Sequence, residues 1–283
     1  MSQATTPTTH ARNFEIFSRI QPHEYLRRFL DQNVRPDGRL LDQFRNTLIT
    51  SGAISTANGS AMVRLGGTTV VCGIKAEVCE PNVERPDEVP NVELSPMCSP
   101  KFRPGPPPEK AQAVSELIHQ VFRDSQILPL EKLCIESGKA VWVLYADIVC
   151  LNYDGNIMDA SLLALVTALK DVTLPKTELS PSMIVEADAS EQTRPIELTR
   201  FPVASTFCLF SQPDALLSDP NDTEEILAKE TMTVIMDSEG ALCRVYKTGG
   251  TAMQVDTLRT CFERAKQRTE QVAILIDQAI KKQ

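Results

Sequence analysis

The spacing of hydrophobic residues alternates between a strand-like and a helix-like pattern along the chain. In the first half, runs of β-branched and apolar residues predict strands over residues 44–51, 61–65, 68–78 and 140–151. Turn dipeptides such as Asn58-Gly59 separate the first of these runs. The second half repeats the pattern, with strands predicted over residues 202–210, 215–218, 230–236 and 241–247.

Apolar residues that recur every three or four positions predict four helices. Pro22 opens a short helix within residues 22–34, and further helices are predicted over 111–126 and 158–170. A long closing helix carries one apolar stripe, formed by Val255, Leu258, Cys261, Phe262, Ala265, Val272, Leu275, Ile276 and Ala279. Strands followed by helices, twice over, predict an α+β fold with two layered strand-helix lobes.

Composition sets the expected boundaries of these parts. Residues 1–21 are rich in Ser, Thr and Gln and are predicted to be a disordered tail, followed by the helix 22–34. The first lobe is predicted over residues 35–180 and the second over 181–283. Residues 79–108 are proline-rich and predict a long loop, of a length that is usually functional or disordered.

Charge and cysteine content restrict the classes of function. The net charge of −8 argues against a nucleic-acid surface across the whole chain, so any RNA contact must be local. The eight cysteines form no C-x-x-C pair and are predicted to be buried thiols, which indicates a reducing compartment. The longest apolar run is interrupted by Asp147 and is too short for a bilayer, so a soluble nuclear or cytosolic protein is expected.

Several motifs, taken in order, resemble those of RNase PH-like proteins. They are the Arg-Pro-Asp-Gly-Arg turn at 35–39, the hairpin at 59–70, Asp154-Gly155-Asn156 before a helix, Asp219-Pro220, and Gly249-Gly250. The resemblance spans about residues 22–283. It is strongest to ring subunits of the eukaryotic RNA exosome, in the lineage of the inactive archaeal ring subunit.

The resemblance implies both a fold and an ancestral reaction. The implied fold is RNase PH-like, with mixed sheets and lobes similar to domain 2 of ribosomal protein S5. In the implied ancestor, inorganic phosphate attacks the 3′-terminal phosphodiester of RNA and releases a nucleoside diphosphate. That chemistry requires a positioned phosphate, neutralised charge and acids that hold Mg²⁺ or move protons.

The phosphate-binding loop is the first part to differ from active relatives. A strand–turn–helix joint can direct backbone N–H groups at an anion. Active relatives add Gly-Ser/Thr-Arg at this joint, where the present chain has Asn156, Ile157 and Met158. Each charged hydrogen bond lost is worth about 1.5–3 kcal/mol. The loop is therefore predicted to have lost its phosphate, with Ile157 and Met158 packing at the start of a helix.

The acidic and basic residues of active relatives are also altered. Two aspartates six residues apart become Asp219 and Glu225, a pair in which the longer side chain would detune a metal site. A solvated acidic turn is the alternative interpretation of this segment. The helix that carries several arginines in active relatives has Glu116 and Gln120, and keeps Arg123. We therefore predict a degenerate active site with no catalytic residue, no metal and no cofactor.

Basic residues near the proline-rich loop are the candidate RNA contacts. Lys101, Arg103 and Lys110 are expected to have no acidic partner, and Phe102 could stack on a base. A solvated loop or a subunit contact is the alternative.

The sequence thus predicts a non-catalytic ring subunit of the exosome, which scaffolds the ring and guides RNA to the pore. The implied partners are other RNase PH-like ring subunits, S1/KH-type cap proteins, a hydrolytic exoribonuclease and RNA, in the nucleus, nucleolus and cytoplasm. The alternatives are an active phosphate-dependent 3′-to-5′ exoribonuclease and a pure scaffold without RNA contact.

Overall fold

The computed structural model describes residues 16–79, 91–93, 98–102, 105–125, 127, 133–136, 139–175, 177–179, 185–187, 193–196, 198, 200–211, 214–250 and 252–281. Its helices are α1 (Pro22–Leu30), α2 (Glu109–Ser125), α3 (Ile157–Asp171), α4 (Asp222–Leu227) and α5 (Val255–Ile280). Its strands are β1 (Thr47–Ser51), β2 (Gly59–Leu65), β3 (Thr68–Cys79), β4 (Asn91–Glu93), β5 (Cys134–Glu136), β6 (Ala140–Asn152), β7 (Thr173–Pro175), β8 (Thr177–Leu179), β9 (Val185–Ala187), β10 (Thr193–Pro195), β11 (Pro202–Ser211), β12 (Asp214–Ser218), β13 (Glu230–Asp237) and β14 (Leu242–Lys247).

The larger sheet has six strands in the order β1-β2-β3-β6-β4, with β5 also paired to β6. Neighbouring strands are antiparallel except β4, which runs parallel to β6 and makes this sheet mixed. Alternate residues of β2 and β3 are buried because one face of the sheet packs against α3. At Gly59 an added Cβ would lie 2.6 Å from Val172 Cγ2, so only glycine permits this close approach.

The smaller sheet has four antiparallel strands in the order β12-β11-β13-β14. Its central strand β11 is buried along nearly its whole length. Leu26 and Leu30 of α1 pack with Cys208, Phe210 and Leu217, while α3 and α5 also contact this strand. Because both faces of β11 are covered, its sequence is a near-continuous apolar run rather than an alternating one.

Helix α3 joins the two sheets into one hydrophobic core. Every residue from Ile157 to Leu169 is buried, and the helix contacts β2, β3 and β11. A helix that is apolar all round has to lie inside a protein rather than on its surface. The core cluster includes Val63 and Val70 of the larger sheet together with Val203 and Ile235 of the smaller one, so the α+β fold predicted from the sequence is confirmed.

Several local expectations need correction. The first strand begins at Thr47 rather than at residue 44, since the Arg45 backbone N–H bonds to Asp219 instead of a neighbouring strand. The segment after Asp219 is not a solvated turn but helix α4, which begins with a capping box between Asn221 and Glu224. Strand β4 lies within the expected loop 79–108, and residues 16–20 of the expected disordered tail are helical. Residues 1–15 lie outside the described part of the chain.

The thiol and membrane expectations can also be compared with the structure. All eight cysteines are free, and five of them are buried: Cys72, Cys98, Cys150, Cys208 and Cys261. Cys79 and Cys243 are half-buried, and Cys134 is exposed. In the described segments, no helix is long and apolar enough to cross a bilayer.

Arg35 anchors the segment after α1 to the smaller sheet. Its guanidinium is fully buried, donates from Nε to Glu224 Oε1 at 2.8 Å, and also pairs with Glu224 Oε2. It donates further to the backbone oxygens of Ser218, at 2.7 Å, and Asp219, at 3.0 Å. The Arg-Pro-Asp-Gly-Arg turn is therefore a structural element that fixes α4.

Replacing Arg35 by Met should lower the free energy of unfolding by about 3–5 kcal/mol, because the Glu224 carboxylate would stay buried without its main partner. The urea midpoint of the full-length chain measures this. Arg27→Met on the exposed side of α1 is the matched control, with an expected loss below about 1 kcal/mol. Equal midpoints for the two variants would contradict the anchoring role.

Candidate functional site

The loop between β6 and α3 adopts a tight left-handed conformation. Gly155 has φ 74°, and a Cβ there would lie 2.4 Å from the backbone nitrogen of Asp222. Asn156 follows at φ 51° and ψ 49°, a conformation that asparagine tolerates better than most residues. The loop therefore packs directly onto the start of α4. This packing brings the candidate phosphate loop and the candidate acid pair together.

The Asn156 side chain turns inward rather than capping α3. Its Nδ2 donates to Asp219 Oδ1 at 2.6 Å and to Asp159 Oδ2 at 2.8 Å. Its Oδ1 is buried without a hydrogen-bond partner among the described residues. Ile157 and Met158 are buried at 1% and 7% exposure, in agreement with packing positions. In this loop, then, Asn156 holds two carboxylates and the next two residues contribute only apolar surface.

Asp219 is fully buried and is bound by Arg45. The carboxylate accepts bonds from the Arg45 backbone N–H at 2.8 Å, from Nε at 3.0 Å and from Nη2 at 2.9 Å. Burial acts to raise the pKa of Asp219, but the hydrogen bonds and charge of Arg45 outweigh it and hold this pKa below its ordinary value. The first member of the acid pair is an ionised structural group, which corrects the interpretation of a solvated acidic turn.

Glu225, the second member, binds the loop itself. Its Oε1 accepts the backbone N–H of Asn156 at 2.6 Å, immediately before α3. Its Oε2 accepts a bond from Tyr153 Oη at 3.2 Å and pairs with Lys110 Nζ at 2.5 Å. The Glu225 carboxylate thus accepts the hydrogen bond that the N–H group of a strand–turn–helix joint could donate to a phosphate.

The two described lysines of the candidate RNA contact are both ion-paired. Lys101 pairs with Asp222, and Lys110 pairs with Glu225 from the first turn of α2 rather than from a loop. The expectation that these lysines lack acidic neighbours is therefore wrong, since the carboxylates come from α4, more than a hundred residues away in sequence. Arg103 lies outside the described residues.

The aromatic residue beside Lys101 is also engaged. The Phe102 ring packs edge-on against the Tyr153 ring, with centroids 5.3 Å apart and planes at 81°. Lys110 lies over the same Tyr153 ring at 5.1 Å. Stacking of Phe102 on a base would therefore require this contact to rearrange.

Of the altered residues on α2, Gln120 contacts β14. Gln120 donates to Glu116 Oε1 at 2.6 Å and accepts a bond from Arg244 Nη2 at 2.5 Å. Arg244 also pairs with Asp124 at 2.7 Å. Gln120 and Asp124 thus hold α2 to the smaller sheet through Arg244.

Asp159 completes the polar cluster. It accepts bonds from the Thr206 backbone N–H at 3.0 Å and from Thr206 Oγ1 at 2.7 Å, besides that from Asn156. Burial raises the pKa of Asp159 to about 6, against the lowering effect of these hydrogen bonds. Across the described residues, no group of three or more His, Cys, Asp or Glu side chains is placed to hold a metal ion.

Sequence reasoning did not identify Arg45 or Tyr153 as parts of this site, and it included Asp159 only as the end of the loop motif. The sequence signal at Asp159 was weak: it is an acidic residue in the first turn of a largely apolar helix. Arg45 and Tyr153 lie in segments whose composition is unremarkable for strand ends. Their partners are brought to them only by the packing of the smaller sheet on α3.

Comparison with known proteins fits this geometry. Residues 43–175 match domain 1 of the 3′ exoribonuclease family (RNase PH), and residues 200–268 match its domain 2. The chain belongs to the RNase PH family. An exosome complex component rrp43 from Schizosaccharomyces pombe is 45% identical over 89% of this chain and 94% of its own length.

Two archaeal relatives extend the RNase PH comparison. An exosome complex component Rrp42 from Methanopyrus kandleri is 37% identical over 83% of this chain and 87% of its own length. A chain of the Archaeoglobus fulgidus exosome with RNA bound to the active site superposes with a TM-score of 0.77 at 30% identity. That superposition covers 91% of this chain and 98% of the archaeal one.

Replacing Asp159 by Asn should change how stability depends on pH. A carboxyl whose pKa rises on folding, from 3.8 to about 6, stabilises the fold most below pH 4, and this contribution is lost as the pH rises through 6. The rise corresponds to about 3 kcal/mol. Between pH 4 and pH 7, the free energy of unfolding of the variant should therefore rise by about 3 kcal/mol relative to that of the parent, as measured by urea unfolding.

Asn can keep the geometry, because its Oδ1 can accept the bonds to Oδ2 and its Nδ2 can donate to Thr206 Oγ1. The exposed Asp214→Asn is the control. If the free energies of unfolding of the parent and Asp159→Asn differ by the same amount at every pH, burial does not raise the pKa of Asp159 as described.

Proposed function

We propose that the chain is a non-catalytic ring subunit of the RNA exosome, which supports 3′-to-5′ RNA processing and degradation as a scaffold. Family membership and the two similar exosome components support the assignment to the complex. The superposition on a chain of an archaeal exosome, which covers 91% of this chain and 98% of the archaeal one, supports the same assignment.

The main support for the absence of catalysis is the hydrogen bond from the Asn156 N–H to Glu225. A phosphate entering this loop would have to displace a carboxylate that is already held by Lys110 and Tyr153. If it bound beside that carboxylate instead, two like charges about 4 Å apart would repel by roughly 1–4 kcal/mol. The guanidinium and hydroxyl that could offset this cost are absent at Ile157 and Met158.

The acid pair gives a second reason to expect no catalysis. The Asp219 carboxylate is bonded to Arg45 and Asn156, pairs with Arg39 at 3.5 Å, and is fully buried. A carboxylate in this state can neither bind Mg²⁺ nor exchange a proton with a substrate without breaking the arginine pair. An active phosphate-dependent exoribonuclease is the alternative function, and these two carboxylates argue against it.

RNA guidance stays a prediction. Lys101 and Lys110 are about half exposed, so they can meet a phosphodiester, but their ion pairs with Asp222 and Glu225 reduce the local positive charge. The scaffold role is proposed from the similarity to exosome components, and the contacts of Glu225 and Asp219 support the absence of catalysis. By the same family resemblance we propose the remaining partners: other RNase PH-like ring subunits, S1/KH-type cap proteins, a hydrolytic exoribonuclease and RNA. The proposed locations are the nucleus, nucleolus and cytoplasm.

The purified chain should release no nucleoside diphosphate from 3′-hydroxyl RNA in the presence of Mg²⁺ and inorganic phosphate. Thin-layer chromatography of labelled products measures this against a reaction without the chain. A Glu225→Gln variant, run in parallel, separates this site from a contaminating nuclease. Release by the parent that disappears in Glu225→Gln would show that the acid pair is catalytic and would overturn the proposal.

A further inference from the structure

A cavity of about 590 Å³ remains beside the occupied phosphate loop. Its apolar surface comes from the inner side of α2 and the start of α3, including Val114, Leu117 and Met158. The rings of Phe102, Tyr153 and Tyr246 also line it. This volume lies within the range of about 300–1,000 Å³ that is common for small-molecule sites.

The charged side chains at this cavity are mostly neutralised by one another. Lys101 pairs with Asp222, and Lys110 pairs with Glu225. Glu109 adds a further negative charge at the exposed end of α2. The remaining polar groups of the lining are neutral, namely Asn156, Thr206, Thr231, Thr233 and Thr248.

An anionic ligand would therefore meet carboxylates here without a free cation among the described lining residues. A flat ring, by contrast, can contact the aromatic side chains edge-on or offset, and the Met158 thioether adds a favourable contact to rings. Burying such a ring removes apolar surface from water, and the ring itself carries no charge that would have to be desolvated.

We propose that this cavity is a binding site for a small, uncharged aromatic compound, and that it discriminates against the same ring carrying a phosphate. The inference concerns the cavity left by the lost phosphate loop and does not depend on membership of a complex. It would make this chain a ligand-binding protein at the place where we propose that phosphate chemistry has been lost.

The matched probes 2-naphthol and 2-naphthyl phosphate test this with the full-length chain. We expect saturable binding of 2-naphthol by isothermal titration calorimetry at neutral pH, and binding of 2-naphthyl phosphate that is weaker by about tenfold or more. Glu225→Gln removes one of the repelling charges and should reduce this difference at least about threefold.

Two tryptophan variants locate the site. Ala113 is exposed on α2 and lines the cavity, so Ala113→Trp should fill it and weaken 2-naphthol binding by about tenfold or more. Gln112, also exposed, is its neighbour outside the lining, and Gln112→Trp should bind 2-naphthol within about twofold of the parent. The proposal is overturned by an absence of saturable 2-naphthol binding, by equal binding of the two probes, or by unchanged binding in Ala113→Trp.

Discussion

The buried pairs between arginines of the segment before β1 and carboxylates around α4 are the constraint on which the site depends. Arg35 holds Glu224, and Arg45 holds Asp219 with bonds from both its guanidinium and its backbone. These charges are removed from water, so each is tolerated only while its partner stays in place. The pairs therefore fix both the orientation of α4 and the turn that precedes it.

The direction of the Glu225 side chain is set by the orientation of α4. It adjoins Glu224 in α4, and the capping box and the Arg35 pair leave its side chain directed at the start of α3. Gly155 permits the contact because its positive φ and missing Cβ let the loop touch the backbone of Asn221 and Asp222. A carboxylate that is locked in this way stabilises the N-terminus of α3 through the helix dipole. The same arrangement leaves the cavity of about 590 Å³ beside this loop.

Much of the fold could be predicted from the sequence, because period-two and helical apolar patterns are local signals. The apolar run of α3 and the β-branched run of β3 identify central elements without any tertiary information. The loss of a hydroxyl and an arginine at Ile157 and Met158 was visible for the same reason, since the loop is a contiguous motif. Short elements such as β4 and α4 were missed, because a capping box or a few bridging bonds give little periodicity.

The state of the site could not be predicted, because its interactions join distant parts of the chain. The Arg45–Asp219 bonds connect residues 174 positions apart, and the Asn156–Glu225 bond spans 69. From sequence alone, Asp219 and Glu225 are an acid pair with a familiar spacing, and the lysines at 101 and 110 appear free. Burial and ion pairing change each of these assignments, and neither is encoded in spacing.

The most direct measurement of the central claim is the response of the Asn156 backbone amide to inorganic phosphate, followed by nitrogen–proton nuclear magnetic resonance. With Glu225 in place, we expect no saturable shift of this amide at millimolar phosphate. In Glu225→Ala, the freed N–H, Lys110 and Tyr153 should produce a saturable shift. A saturable shift in the parent chain, unchanged in Glu225→Ala, would contradict the conclusion that Glu225 occupies the phosphate position.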